Sequence, residues 1–187
     1  MEYSDLKRFI NPEVLIGERI ILRKITKSDL SDVHEYASDA RVPEYLLWQP
    51  HPTLSYTKQY LAIVEKKYKK GEFYDYGIEY MGKMIGTCGF KCFSIVNQCA
   101  DIGFVLNSNF WGKGIAKEAA MLVLKYGFEV LGLKRIEARY MIENEASRKV
   151  MEKCNMKFEG TLRSAMLVKG KYRDIGICSI LREEYFG

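Results

Sequence analysis

The spacing of apolar residues divides the chain into short strands and amphipathic helices. Apolar residues that alternate or run together predict strands over 18–24, 74–80, 84–93, 100–106, 135–142, 156–168 and 171–181. Apolar residues three or four positions apart predict helices over 26–38, 55–70, 115–131 and 144–154. Because strands and helices are interspersed along one chain, we expect an α+β fold with a mixed central sheet of about seven strands and about four helices.

Polar residues and glycine mark several of the predicted helix ends. Thr26 and Asp29 have the spacing of a capping box at a helix start. Gly71 would end the second helix, because glycine readily adopts the left-handed conformation of a helix C-terminus. Asn144 is a favourable N-cap for the last helix, and Asn155 can end it in the left-handed conformation.

Length and composition fit a single domain that spans residues 1–187. Hydrophobic residues make up 48% of the chain and charged residues 28%, as in an ordinary globular protein. No apolar run approaches the roughly 20 residues that cross a bilayer. The start, residues 1–6, has no basic region leading into an apolar one, so we expect neither a membrane partner nor a secretory leader.

Cysteine usage and net charge narrow the functional classes. The five cysteines form no Cys-x-x-Cys pair and the chain has only two histidines. We therefore expect no metal site, reduced thiols and a cytoplasmic protein. The net charge of +5 is mild and has no long basic block. It suits a polyphosphate ligand and does not predict nucleic-acid binding.

Two glycines lie where the predicted strand over 100–106 is followed by a helix. Gly112 and Gly114 are separated by one residue. Glycine lets the backbone turn sharply and approach a ligand closely. The first turn of a helix adds unpaired N–H groups and the positive end of the helix dipole. The segment therefore predicts a phosphate-binding turn, with a glycine-rich turn that binds no ligand as the alternative.

Two well-known phosphate motifs do not fit this turn. A Walker A loop needs a Lys followed by Ser or Thr, and a dinucleotide fingerprint needs a third glycine where Lys117 stands. Residues 111–116, Trp-Gly-Lys-Gly-Ile-Ala, instead resemble the acetyl-CoA turn of the GNAT acetyltransferases, Gln/Arg-x-x-Gly-x-Gly/Ala. Trp111 replaces the usual Gln or Arg, a departure that is common in the RimJ/RimL-like branch of this family.

Other segments resemble GNAT elements in the same order along the chain, from about residue 15 to residue 185. They are an opening strand and helix start at 17–29, a loop at 48–52, a strand at 83–90, an Asn-x-x-Ser helix at 144–153 and a closing hairpin at 158–163 and 169–174. The resemblance implies a GNAT fold, in which the fourth and fifth strands splay apart.

The resemblance also implies acetyl-CoA as the co-substrate. The turn would bind the pyrophosphate, and the splayed edge of the fourth strand would pair with pantetheine as a short extra strand. The implied cofactor-binding residues are Phe104, Val105, Leu106, Trp111, Gly112, Lys113, Gly114, Ile115, Ala116, Lys117, Asn144, Ser147 and Lys153.

Catalytic roles follow from the same resemblance. Ser147 would stabilise the thiolate of CoA, and Asn144 would orient pantetheine or a water molecule. A backbone N–H of the splayed strand, that of Val105, would donate to the oxyanion. The structural alternative is that Asn144 is an ordinary N-cap and Ser147 an ordinary first-turn residue.

Two departures from the family pattern leave the general base open. Met151 stands where many GNAT enzymes have a tyrosine acid, and Met166 where RimL-like enzymes have a glutamate base. Asp101 and Glu79 are candidate substitutes, with a structural or surface carboxylate as the alternative for each. An α-amine also needs little help, because its pKa near 8 leaves a useful neutral fraction. His51, in a proline-rich loop, is expected to face solvent.

These observations predict an N-acetyltransferase that moves an acetyl group from acetyl-CoA to a primary amine by direct attack. The favoured acceptor is the α-amine of a protein or peptide N-terminus. A polyamine or aminoglycoside acceptor and a non-catalytic acyl-CoA-binding module are the alternatives. We expect no nucleic-acid, membrane or metal partner, and either a monomer or a homodimer.

Overall fold

The structure is a computed structural model that describes residues 14–70 and 75–187. The start of the chain at 1–6, the helix end at Gly71 and the strand start at Tyr74 lie outside the described residues. Within those two ranges, no helix is long and apolar enough to cross a membrane. The fold is α+β, as predicted.

Eight strands of residues 14–70 and 75–187 form one mixed sheet. They are β1 (Val14–Ile16), β2 (Ile20–Arg23), β3 (Tyr76–Tyr80), β4 (Lys83–Ser94), β5 (Cys99–Leu106), β6 (Arg135–Met141), β7 (Lys157–Val168) and β8 (Lys171–Leu181). Their order across the sheet is β1-β2-β3-β4-β5-β6-β8-β7. Only β5 and β6 run parallel among these neighbours. The seven predicted strands are present, and the extra one, β1, is too short to show alternation in the sequence.

Five helices accompany the sheet in the described part of the chain. They are α1 (Leu30–Ala37), α2 (Leu54–Lys69), α3 (Ile115–Lys125), α4 (Glu145–Lys153) and α5 (Arg182–Phe186). Short 3-10 turns lie at Lys27–Asp29 and Ser108–Phe110. The four predicted helices are present, and α5 was not predicted because five residues cannot show a helical period.

The predicted polar helix ends are confirmed where the structure describes them. Thr26 and Asp29 form a capping box, and the Asn144 side chain accepts a hydrogen bond from the N–H of Ser147. Asn155 has a φ of 61°, the left-handed conformation expected at the end of α4.

The helix predicted through residue 131 changes its geometry partway. After α3 the chain continues as a π turn at Tyr126–Val130. A Cβ atom on Gly127 would lie 2.6 Å from Cδ1 of Ile136 in β6. Glycine therefore lets this wide turn lie directly against the sheet.

Helices cover the two faces of the sheet. Ala100 and Ile102 of β5 belong to the main core, together with buried residues of α3 and α4. Val105 of the same strand packs against the cluster formed by α1 and α2. Because odd and even strand residues point to opposite faces, we call these the α3 face and the α1 face.

Candidate active site

β5 and β6 separate halfway along their length. Their pairing runs from Cys99 opposite Arg135 to Ile102 opposite Ala138 and stops there. β5 stays paired with β4 as far as Leu106, so its other edge has no strand partner beyond Ile102 among the residues that the structure describes. The splay expected between the fourth and fifth predicted strands is therefore confirmed, as a gap between β5 and β6.

The backbone groups that face this gap belong to Phe104 and Leu106. The N–H of Asn107 donates to the carbonyl of Ile85 in β4 at 2.7 Å. Successive residues direct their N–H and C=O groups to opposite edges of a strand, so Val105 bonds towards β4. The expectation that Val105 supplies the oxyanion donor is wrong for this reason. The alternation of apolar residues in a sequence shows towards which face of a sheet a side chain points. It does not show towards which neighbouring strand a backbone N–H or C=O group points.

The turn between β5 and α3 places its two glycines in the left-handed conformation. Gly112 has a φ of 76° and Gly114 a φ of 77°. The first N–H to close a helical bond is that of Glu118, and the N–H groups of residues 112–117 have no partner in the described part of the chain. A Cβ atom on Gly112 would meet no atom within 4 Å. An open space therefore lies beside a row of free donors, as a phosphate group requires.

Arg19, which precedes β2, holds the turn in place. Its Nη1 donates to the carbonyl of Lys113 at 3.0 Å, and its Nε donates to Oε2 of Glu118 at 2.8 Å. The backbone N–H of Arg19 donates to Oε1 of the same carboxylate at 2.7 Å. Burial opposes the ionisation of Glu118, but these bonds hold its pKa below its usual range. The turn is thereby fixed before any ligand arrives.

Trp111 connects the turn to the separated strand end. Its Nε1 donates to the carbonyl of Leu106 at 2.8 Å. Since Leu106 directs its backbone into the gap, this bond satisfies a carbonyl that has lost its strand partner. The tryptophan that departs from the GNAT motif therefore has a structural role in this chain.

The other residues implied for cofactor binding differ in exposure. Ile115 is fully buried and Ala116 packs against the main core, so these two residues offer only their N–H groups. The side chains of Lys113, Lys117 and Lys153 are exposed. Lys113 and Lys117 belong to the turn and the first turn of α3, whereas Lys153 ends α4.

Asn144 and Ser147 lie at the start of α4, directly after β6. The N–H of Asn144 donates to the carbonyl of Met141, the last residue of β6, at 2.7 Å. Oδ1 of Asn144 accepts from the N–H of Ser147 at 3.0 Å. Asn144 is therefore the N-cap of α4, which is the structural alternative given for it above. The Ser147 hydroxyl has no hydrogen-bond partner among the described residues and is half-buried. The catalytic roles of the two side chains stay predictions.

The two methionines that depart from the family pattern take part in packing. Met151 is buried in the main core. Met166 packs against a small cluster on the α1 face, formed by Met141, Val168 and Ile175. Neither thioether can transfer a proton, so the base and acid of related enzymes have no counterpart at these positions.

Asp101 lies on the α1 face of β5, just before the gap opens. It is opposite Glu137 in β6, and its Oδ2 is 3.6 Å from Nε of Arg139. Burial and the neighbouring Glu137 raise the pKa of Asp101 above its ordinary value. A raised carboxyl pKa suits a general base that works near neutral pH.

Glu79, the second candidate base, has a structural partner. Its Oε2 accepts from Nε of Arg23 at 2.5 Å, and the same guanidinium binds Asp29 at 2.7 Å. Strand β4 separates Glu79 from β5. The position and partners of the two carboxylates therefore favour Asp101 over Glu79 as the residue that acts at the gap.

His51 is buried, which corrects the expectation that it faces solvent. Its side chain is only 8% exposed. Nδ1 of His51 lies 3.0 Å from Oγ1 of Thr57, and Nδ1 of His34 lies 2.9 Å from the same oxygen. The aromatic rings around His51 are those of Trp48, Tyr56 and Tyr60. Burial, with a smaller contribution from His34, lowers the pKa of His51.

A polar network that sequence reasoning missed joins α1 and the segment after it to the turn. Ser108 donates to Asp39 at 2.5 Å and accepts from Arg41 at 2.8 Å. One residue earlier, Nδ2 of Asn107 donates to Glu35 at 2.9 Å. These partners are 67 to 72 positions apart in the chain, so no local pattern reveals them.

The chain is similar to acetyltransferases in sequence and in structure. Residues 19–157 match a family model described as Acetyltransferase (GNAT) domain. Uncharacterized N-acetyltransferase p20 of Bacillus licheniformis is 34% identical over 94% of this chain and 99% of its own length. The crystal structure of a GNAT-family acetyltransferase from Bacillus anthracis superposes with a TM-score of 0.80 at 32% identity, covering 91% of this chain and 99% of that one.

Relatives whose names include an acceptor point to two kinds of amine. "Putative ribosomal N-acetyltransferase YdaF" of Bacillus subtilis (strain 168) is 27% identical over 92% of this chain and 96% of its own length. Spermidine N(1)-acetyltransferase of Escherichia coli (strain K12) is 25% identical over 88% of this chain and 87% of its own length. The names alone therefore do not separate a protein acceptor from a polyamine.

Proposed function

The chain belongs to the GNAT acetyltransferase family and is an acetyltransferase, and from this premise we propose that it acetylates the α-amine of a protein or peptide N-terminus with acetyl-CoA, in the cytoplasm. One observation carries the proposal. The free edge of β5 leads directly to a turn whose N–H groups, at residues 112–117, have no partner among the described residues. Membership of an enzyme family sets the non-catalytic binding module aside.

The residues at the gap and the turn fit coenzyme A. The N–H groups of residues 112–117 and the open space beside Gly112 suit its pyrophosphate. Lys113 and Lys117 add positive charge nearby. The unpaired edge at Phe104 and Leu106 suits the amide groups of pantetheine, which can add to a strand edge as a peptide does.

Bound acetyl-CoA supplies an acetyl thioester, whose carbonyl carbon is open to attack by an amine. The N–H of Phe104 or Leu106 donates to the carbonyl oxygen as negative charge develops there, and this fixed donor needs no reorganisation. The Ser147 hydroxyl donates to the sulfur as it leaves. Hydrogen bonds to an ionised group are stronger than those between neutral groups, so these donors favour the transition state over the ground state.

Asp101 accepts the proton that the amine loses, directly or through a water molecule. It lies on the α1 face, opposite the face that carries α3 and the turn. Its raised pKa brings it closer to that of an α-amine. An α-amine has a pKa near 8 and a lysine side chain near 10.4, so a weak base of this kind serves the α-amine better.

The charges on the α1 face support an α-amine acceptor over a polycation. Glu137 accepts from Arg135 at 2.9 Å and from Arg139 at 2.9 Å. These arginines offset the carboxylates that line the face beside Asp101, and a polycation binds best where negative charge is concentrated. The name of YdaF adds support for a protein acceptor. The spermidine relative keeps a small amine as the second candidate.

Mass spectrometry after incubation with acetyl-CoA and a pooled acceptor panel tests the proposal. The panel contains peptides with free Ala or Ser N-termini, lysine peptides with blocked N-termini, polyamines and aminoglycosides. We expect acetylation of the free N-termini alone. Acetylation of polyamines or aminoglycosides without the peptides would overturn the acceptor while leaving the family and the cofactor in place.

A further inference from the structure

A buried guanidinium N–H without a partner lies on the α1 face. Arg173, near the start of β8, donates through Nη1 to Oε1 of Glu143 at 3.0 Å. Its Nε is buried and has no hydrogen-bond partner among the described residues. A charged donor that is buried and unpaired is costly, and such groups are rare in folded proteins. A donor held in this state is suited to an acceptor oxygen that arrives with a ligand.

Three separate elements bring polar groups together around this donor. Glu143 directly follows β6, Arg173 belongs to β8, and Tyr45 comes from the segment between α1 and α2. The Tyr45 ring packs against the small cluster of the α1 face. Burial raises the pKa of Tyr45, followed by the charge of Glu44, a hydrogen bond from the Tyr45 hydroxyl to Glu44 and the charge of Glu143. Its hydroxyl therefore stays protonated and lies close enough to Glu143 to sense its charge.

The cluster lies over the open end of the gap. The apolar residues beneath Tyr45 include Met141, which ends the part of β6 that has separated from β5. Nζ of Lys169, at the tip of the β7–β8 hairpin, donates to the carbonyl of Pro43 at 2.6 Å. The hairpin and the α1–α2 segment are therefore in contact here. An acceptor that enters the gap from the α1 face passes these polar groups.

We propose that Glu143, Arg173 and Tyr45 form an acceptor subsite that recognises an ammonium group together with the carbonyl next to it. The proposal rests on the proposed function and deepens it, because an ammonium beside a carbonyl is the chemical unit of a peptide N-terminus. Glu143 and the Tyr45 hydroxyl accept from the ammonium, and Nε–H of Arg173 donates to the carbonyl oxygen.

The inventory of donors and acceptors decides this assignment. The Glu143 carboxylate is 44% exposed and uses only one oxygen on Arg173, so its other oxygen is available to a cation. The Arg173 Nε–H can only donate, so it requires an oxygen of the acceptor. A polyamine has no oxygen and would leave this donor unpaired. An unpaired polar group at a binding site discriminates strongly against a ligand that lacks its partner.

Two amines that differ in a single amide group, present in one and replaced by two methylenes in the other, test the role of Arg173. Alanine N-methylamide and 2-aminopentane have the same branched amine and chain length, but only the amide has a carbonyl. We expect Arg173→Lys, which keeps the charge and removes Nε–H, to lower kcat/KM for the amide at least tenfold through KM. For 2-aminopentane we expect a change below twofold. Comparing each variant with the wild type cancels the different pKa values of the two amines.

Matched variants separate recognition from structural damage. Arg163→Lys alters an exposed arginine of the same hairpin and should leave kcat/KM unchanged for both amines. Glu143→Gln should raise KM for both amines, because each arrives as a cation, whereas Glu145→Gln, two residues later and exposed, should not. The affinity for CoA, measured by calorimetry, and the melting temperature should stay within error of the wild type in all four variants.

Two different failures can be told apart. If the wild type acetylates polyamines and ignores alanine N-methylamide, the proposed function and the subsite both fail. If the wild type acetylates the amide but Arg173→Lys lowers kcat/KM equally for both amines, or for neither, the α-amine function stands and the subsite is overturned.

Discussion

One side of the gap presents backbone groups, and the other side presents side chains. On the turn side, residues 112–117 present backbone N–H groups, held by two left-handed glycines and by the bonds of Arg19 and Trp111. On the acceptor side, the proposed subsite consists of side chains from three elements, Tyr45, Glu143 and Arg173. A backbone site depends on conformation, whereas a side-chain site depends on which residues the fold assembles.

This difference explains how the two sides can change independently. A pyrophosphate and a pantetheine arm are the same for every acetyltransferase that uses CoA, and backbone donors suit such a constant ligand. An acceptor differs between enzymes, and exchanging side chains alters recognition without altering the fold. The relatives named for a ribosomal substrate and for spermidine, which match similar lengths of this chain, agree with that division.

The largest effect should follow from adding a side chain to the turn. Gly112→Val would place atoms in the open space beside the free N–H groups and would strain a residue with a φ of 76°. We expect the dissociation constant for CoA to rise at least about 100-fold, or about 2.7 kcal/mol. Isothermal titration calorimetry measures it.

Gly82→Val is the matched control for that change. Gly82 has a φ of 78° and also has no atom within 4 Å of a Cβ, but it lies in the β3–β4 hairpin. It should carry the same backbone strain and leave CoA affinity unchanged. If both variants weaken binding equally, the effect is strain alone and the turn is not a backbone site.

A second prediction concerns a side chain on the turn side. Ser147→Ala removes a hydroxyl that has no partner among the described residues, so folding should not suffer. If this hydroxyl stabilises the thiolate, kcat should fall roughly tenfold to 100-fold, the value of a hydrogen bond to a charged group. CoA affinity should stay constant. Ser55→Ala, in the first turn of α2, is the control, and equal kcat values for the two variants would remove Ser147 from catalysis.

The contrast between a backbone site and a side-chain site also explains which parts could be predicted from the sequence. Gly112 and Gly114 mark the turn because a backbone site needs glycines at fixed spacing between a strand and a helix. Arg173 and Glu143 are 30 positions apart and unremarkable in the sequence. Their contact depends on the register of β6 against β8, which no local pattern encodes. The burial of His51 was missed for the same reason, since His34, which shares the Thr57 hydroxyl with it, comes from α1 and lies 17 positions earlier in the chain.

A third prediction tests whether the acceptor side contributes a base. Asp101→Asn should lower kcat/KM about tenfold, less than the roughly 100-fold to 10,000-fold typical of a general base, because an α-amine is partly neutral without help. Protonation of the acceptor amine lowers kcat/KM below its pKa near 8 in both enzymes. The wild-type profile should steepen as pH drops further through the raised pKa of Asp101, and the variant should lose that steepening. Glu159→Gln is the control on the same face, since Arg135 lowers the pKa of Glu159 to about 2. Steepening that persists in Asp101→Asn would assign the base elsewhere.

A fourth prediction asks how much the turn depends on its clamp. Arg19→Met removes the bonds to Lys113 and Glu118, so the turn should sample other conformations before binding. We expect CoA to bind about fivefold more weakly, or about 1 kcal/mol, with kcat unchanged at saturation. Lys69→Met, which breaks an exposed pair with Glu65, should have no effect. Unchanged affinity in Arg19→Met would mean that the glycines alone hold the turn.

The smallest effect should be a pH dependence of stability that originates on the acceptor side. The pKa of His51 is lowered by burial and by His34, so the unfolded chain binds a proton there more readily than the folded chain. Stability therefore falls as pH decreases below about 6.5, the unperturbed value, towards the lower folded pKa. Urea unfolding between pH 7 and pH 5 should show a steeper decrease in the free energy of unfolding for the wild type than for His51→Gln. Parallel curves would show that the buried imidazole titrates normally, and the acceptor side would then be no more sensitive to acid than the turn.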